Sequence, residues 1–103
     1  MPSGILGQSA PAATTNTTVY TVPSGKLASF SVNILNRGAA SASVRLAIAT
    51  TGTPANEEWI EFGASVPANG VLERTGLVAQ AGERIVVFAS TADVSVSVYG
   101  YEE

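Results

Sequence analysis

The sequence predicts an all-β chain, an antiparallel β-sandwich of about seven short strands with Ig-like or jelly-roll-like connections. Three observations point there. Stretches such as KLASFSVNIL and VSVSVYGY alternate apolar and polar residues, as a strand buried on one face must. Turn-forming clusters, among them Pro23-Ser24-Gly25, NRGAAS, TGTPAN and Asn69-Gly70, recur at a spacing of roughly 8–12 residues. No segment repeats its apolar residues with the helical period.

Residues 1–16 carry no charge and are dotted with Gly, Pro and Thr; the first charged side chain is Lys26. Such a stretch is too polar to span a membrane and too uncharged to stay well solvated. It is expected to be an extended N-terminal arm ordered against neighbouring subunits, ahead of a β-sandwich domain at 17–103. Ile5 and Leu6, set between Gly4 and Gly7, are its apolar anchors.

The strands follow in order. TTVYTV leads into the turn at Pro23 to Gly25. In the next strand Ala28, Phe30, Val32 and Ile34 fall on the core face, with Ser29, Ser31 and Asn33 opposite. SVRLAIAT turns Val44, Leu46 and Ile48 inward and Arg45 outward. In the short strand EEWIEF the lone Trp59 could fill the core, as one large indole often does in a sandwich; alternation with Ile60 and Phe62 on one face instead puts it on the other, an outer surface that needs cover. Val66 to Gly70 reads as a hairpin connection, because Asn-Gly supplies the positive φ of a tight turn. VLERTGLV and ERIVVFAS flank a further turn at Gln80 to Glu83. RIVVFAS is apolar on both faces, so it is a central strand or part of a subunit contact. Val94, Val96 and Val98 point one way in the last strand, with Ser95, Ser97, Tyr99 and Tyr101 on the other side.

Composition narrows the function. Of 103 residues 13% are charged, about half of the ~25% usual in soluble domains, while 46% are hydrophobic. A small chain so poor in charge is expected to cover part of its surface with partners. The net charge of -3 and only five dispersed Lys/Arg argue against nucleic acid. With neither Cys nor His, no nucleophile–imidazole pair, disulfide or Cys/His metal site can be built. Glu57, Glu58 and Glu61 form the densest acidic cluster, but strand alternation separates them, and Glu102 and Glu103 read as a solvated end. GILG and PSGK lack the spacing of a phosphate loop. No catalytic, cofactor or metal residues are therefore expected, and the chain is not expected to be an enzyme. There is also no signal-peptide pattern and no apolar run near the ~20 residues of a membrane helix. The candidate interface residues are Ile5, Leu6, Trp59, Tyr99 and Tyr101, apolar or aromatic groups assigned to the arm or to outer sheet faces.

YTVPSGK, NRG, VRLAIA, VLERTGL, AGERIVVFAS and VSVSVYGYEE, in that order after LGQSAPAATT, resemble a small β-sandwich protein of tailed bacteriophages. Proteins of that kind are virion components, either head decoration (cement) proteins or fibre and tail-associated modules. The resemblance spans Ile5 to Glu103 and rests on turn and strand signatures, with no catalytic residues to carry over. It implies a homo-oligomer, with a trimer the expected count, that contacts a major capsid protein or a tail/fibre protein. Assembly would take place in the host cytoplasm and the protein would reside in the virion. A carbohydrate- or receptor-binding fibre module, stacking sugars on Trp59 and the tyrosines, is the alternative.

The strand assignment is directly testable. Phe30→Ala is expected to destabilise the fold by about 3–5 kcal/mol, since it empties a core position, whereas Ser31→Ala changes little. Equal denaturation midpoints for the two variants would reverse the facing of this strand.

Overall fold

The structure, a computed structural model, describes residues 3–103, and the side chains from Gly4 onward. It is nearly all antiparallel β, arranged as two four-stranded sheets in a sandwich-like packing. The strands are β1 (Ser3–Ser9), β2 (Thr17–Thr21), β3 (Leu27–Asn36), β4 (Ala42–Ala49), β5 (Trp59–Val66), β6 (Val71–Gln80), β7 (Arg84–Ala89) and β8 (Val94–Glu102). One sheet runs β1-β8-β3-β6 and the other β2-β7-β4-β5, so the chain changes sheet at every link except β4 to β5.

The core lies between the four central strands. Val32 and Ile34 of β3 with Val96 and Val98 of β8 meet Val44 and Leu46 of β4 with Ile85 and Val87 of β7, all essentially inaccessible to water. Most are β-branched, the shape that packs well on a pleated surface. Phe30 is buried as its alternation requires. β7, apolar on both faces in sequence, is an interior strand paired with β2 and β4.

Several expectations change. Ser3–Ser9, within the segment expected to be an arm, forms edge strand β1 and pairs with this chain's own β8. The Val66–Gly70 connection is not a hairpin, because β5 and β6 belong to different sheets. Gly70 donates its N–H to the Pro67 carbonyl at 2.8 Å, closing a turn in which Asn69 takes the positive φ of 59°. Gly70 is needed for space instead: a Cβ there would lie 2.7 Å from Pro67 Cγ. The buried Asn36 fixes the same rim. Its Nδ2 donates to the carbonyls of Ala40 (2.7 Å) and Val66 (3.1 Å), and its Oδ1 accepts from Gly38 N–H (2.9 Å).

The irregularities are all on edge strands. Leu6 is an extra residue in β1 opposite β8, and Val19 one in β2 opposite β7. β6 carries one around Thr75-Gly76, and β5 carries two, at Ile60 and Gly63. The central ladders β3–β8 and β4–β7 keep an unbroken register. Bulges twist an edge and spoil it as a template for another strand. Arg74 and Glu61, opposite the inward-facing Val32 and Leu46, form a 3.0 Å ion pair across the β5/β6 side. On the β1/β2 side, Gly7 packs so tightly on β2 that an added Cβ would lie 3.1 Å from Tyr20 Cβ and overlap the Val19 carbonyl.

At Gly100 the backbone of β8 lies close against β3, and a Cβ would come within 2.6 Å of Phe30 Cα. Because backbone cannot yield as a side chain can, Gly100→Ala is expected to destabilise by about 3 kcal/mol or more. A thermal melt superimposable on the wild type would refute this contact.

Candidate functional site

The outer face of the β2-β7-β4-β5 sheet carries an aromatic cluster that the two β5 bulges create. Ile60 and Gly63 are skipped in the pairing, so Phe62 stands beside Arg45 and Trp59 beside Ala47. Simple alternation had put Trp59 and Phe62 on opposite faces. Their rings instead meet edge to face at 5.4 Å. Of the two placements open from sequence, Trp59 takes the outer surface, half-buried over Ala47, Ala49 and Val86, whose small side chains leave room for the indole.

Arg45 crosses between two rings. Its guanidinium carbon is 4.2 Å from the Phe62 centroid and 4.3 Å from that of Phe88, its cross-strand neighbours on β5 and β7. Each stack is worth about 0.5–1 kcal/mol at an exposed site. Among the described residues Arg45 forms no ion pair, the only one being Arg74–Glu61. Phe62 is the most prominent apolar group, 63% exposed. Neither it nor Arg45 was singled out from sequence as a candidate, because only the bulges bring them together.

The outer face of the other sheet has a different relief. Tyr99 and Tyr101 of β8 stand over Ser31 and Ser29 of β3, their direct partners. With Gly76 and Gly100 they line an open hollow of about 300 Å³. The Tyr99 hydroxyl reaches across β3 and donates to the Glu73 carboxylate of β6. That bond, ahead of burial, holds the Tyr99 phenol above the ordinary tyrosine range. Ile5 lies beside Tyr99 and Val78 beside Ser29, both 57% exposed, so they rim the same face with Tyr101. Leu6, the other apolar residue expected to anchor an arm, packs half-buried against this chain's own core.

The carboxylates are structural in their contacts. Glu58 accepts the backbone N–H groups of Ala55 (2.8 Å) and Thr50 (3.1 Å), tying down the loop before β5. Those bonds, Ala55 first, hold its carboxyl below the ordinary range. Glu61 is taken by Arg74. Glu102 is not a solvated end. Its side chain turns inward and accepts a hydrogen bond from the buried Tyr20 hydroxyl, joining β8 of one sheet to β2 of the other. Among the described residues no group of three His, Cys, Asp or Glu is placed to hold a metal, and no helix is long and apolar enough to cross a membrane. No protein-family model, curated protein or solved structure matches the chain.

The buried Tyr20–Glu102 pair predicts a pH dependence. Burial first, then the adjacent carboxylate, push the Tyr20 phenol well above its ordinary value. A raised folded-state value favours the protonated phenol in the native state. Its contribution is therefore complete below the unfolded value of about 10 and is lost as pH rises beyond it. Tyr20→Phe should cost about 1–3 kcal/mol at neutral pH by leaving Glu102 without its donor. It should also flatten the fall in stability above about pH 10. Urea titrations across that range check both, and an unchanged alkaline slope in the variant would refute the assignment.

Proposed function

We propose that this chain is a non-enzymatic structural subunit of a phage virion, a homo-oligomer docked on the capsid surface or on a tail or fibre component. The observation that carries this reading is the pair of outer sheet faces, which present Phe62, Trp59 and Arg45 on one side and Ile5, Val78 and Tyr101 on the other. Aromatic groups and arginine are the residues most enriched where protein interfaces hold their energy. Exposed apolar surface grouped in this way marks an interaction site. The low charged fraction of 13% fits a surface shared with neighbours.

The strand order supports a jelly-roll reading of the sandwich. Two four-stranded antiparallel sheets, with the chain crossing at all links but one, are the arrangement used by many capsid and lectin domains. Architecture alone does not decide function, so the faces carry the argument. The tyrosine-lined hollow favours one second reading, a glycan-binding fibre module, since aromatic rings beside hydroxyls and a carboxylate suit a sugar ring.

Co-sedimentation with phage particles lacking the protein separates the two. A virion subunit is expected to pellet with heads or with tails at a saturating stoichiometry, and to show no sugar-dependent retention. Failure to bind either structure, together with specific retention on a glycan array, would replace the structural reading with the second one.

A further inference from the structure

We infer that this chain associates with a second copy of itself head to tail, by seating Phe62 of one copy in the Tyr99/Tyr101 hollow of the next. The inference rests on the self-assembly reading above and specifies its contact. Three independent features of the molecule lead to it.

The first is what the edges exclude. Every edge strand is bulged, β5 twice, and the β5/β6 side is also closed by the Arg74–Glu61 ion pair. A continuous intermolecular ladder needs a regular edge, so association by strand addition is disfavoured. That leaves the sheet faces.

The second is shape. Phe62 projects from the outer face of one sheet, braced by its edge-to-face contact with Trp59 and by Arg45 against its ring. A braced aromatic loses little conformational freedom on docking, which is what an anchor residue requires. The opposite sheet offers an open depression of about 300 Å³, lined by Ser29, Phe30, Ser31, Gly76, Gly100 and the two tyrosines. That is the low end of the ~300–1,000 Å³ range of ligand pockets, suited to one ring rather than an extended chain. A phenyl ring between tyrosines gains the edge and offset contacts that aromatic pairs prefer.

The third is charge. Arg45, beside the projecting ring, has no ion-pair partner among the described residues. Glu73, beside the hollow, is engaged by the neutral Tyr99 hydroxyl and by no cation among the described residues. Seating the ring therefore brings an unpaired cation towards an unpaired carboxylate. Because the two surfaces lie on different faces of the molecule, the contact is heterologous, and repetition gives a ring or an open chain.

Complementation tests this. Phe62→Ser removes the projection and leaves the hollow; Ser29→Trp fills the hollow and leaves the projection. Sedimentation of the full chain is expected to show concentration-dependent self-association. Each variant alone should be weakened roughly thirtyfold or more. An equimolar mixture of the two retains one intact contact and should stop at a heterodimer, which also demonstrates that both variants fold. A wild-type chain that stays monomeric at millimolar concentration overturns the inference, as does either variant self-associating like the wild type. Loss of glycan retention in Ser29→Trp, with self-association intact, would assign the hollow to a sugar and equally overturn it. A wild type and both variants that self-associate equally and pellet with particles remove this contact alone; a monomeric wild type removes the homo-oligomer reading with it, and loss of particle binding removes the proposed docking.

Discussion

Everything in this molecule depends on the apolar contact between β3 and β8 on one side and β4 and β7 on the other. Val32, Ile34, Val96 and Val98 close against Val44, Leu46, Ile85 and Val87 with no exposure beyond a per cent. Burying each such side chain contributes about 1.5–3 kcal/mol, and only strict alternation delivers all of them to the same layer. A one-residue slip in a central ladder would turn a whole row outward. That is why the register runs unbroken in β3–β8 and β4–β7 while bulges gather in β1, β2, β5 and β6. An edge strand pairs on one side only, so an extra residue there displaces few core contacts.

The relief of the outer faces is a by-product of that tolerance. The β5 bulges at Ile60 and Gly63 set Trp59, Phe62 and Arg45 on one outer face, and the β6 bulge opens the hollow at Gly76 beside Tyr99 and Tyr101. The same irregularities discourage strand addition. The proposed self-association therefore uses the faces, where hydrophobic and cation–π groups are grouped, and not the borders. Polar connections between the sheets are few and placed at the rims. Tyr20–Glu102, Arg74–Glu61 and the Asn36 cluster each join elements from both layers without entering the dry centre.

Much of this was legible in the sequence, because alternation is a local property. The antiparallel all-β character, the inward set of β3, the two-faced burial of β7 and the outward tyrosines of β8 follow from the period-two pattern, and the structure places them accordingly. Tyr101 is exposed on the outer face of β8 that alternation assigns to it.

What only the tertiary structure decided are the features set by pairing between distant residues. Counting along EEWIEF separates Trp59 from Phe62, but pairing with β4 skips Ile60 between them and unites them. The leading uncharged segment has the composition of an arm, yet Ser3–Ser9 finds its hydrogen-bond partners on β8, some ninety residues later. Glu102, next to the last residue, reads like a solvated tail, yet the opposing sheet supplies Tyr20 to satisfy its buried carboxylate. By itself the sequence determined which side chains seek the core, because hydrophobic periodicity is written residue by residue. Which strands lie side by side, and where they bulge, was decided by long-range backbone hydrogen bonding, whose partners no local pattern names.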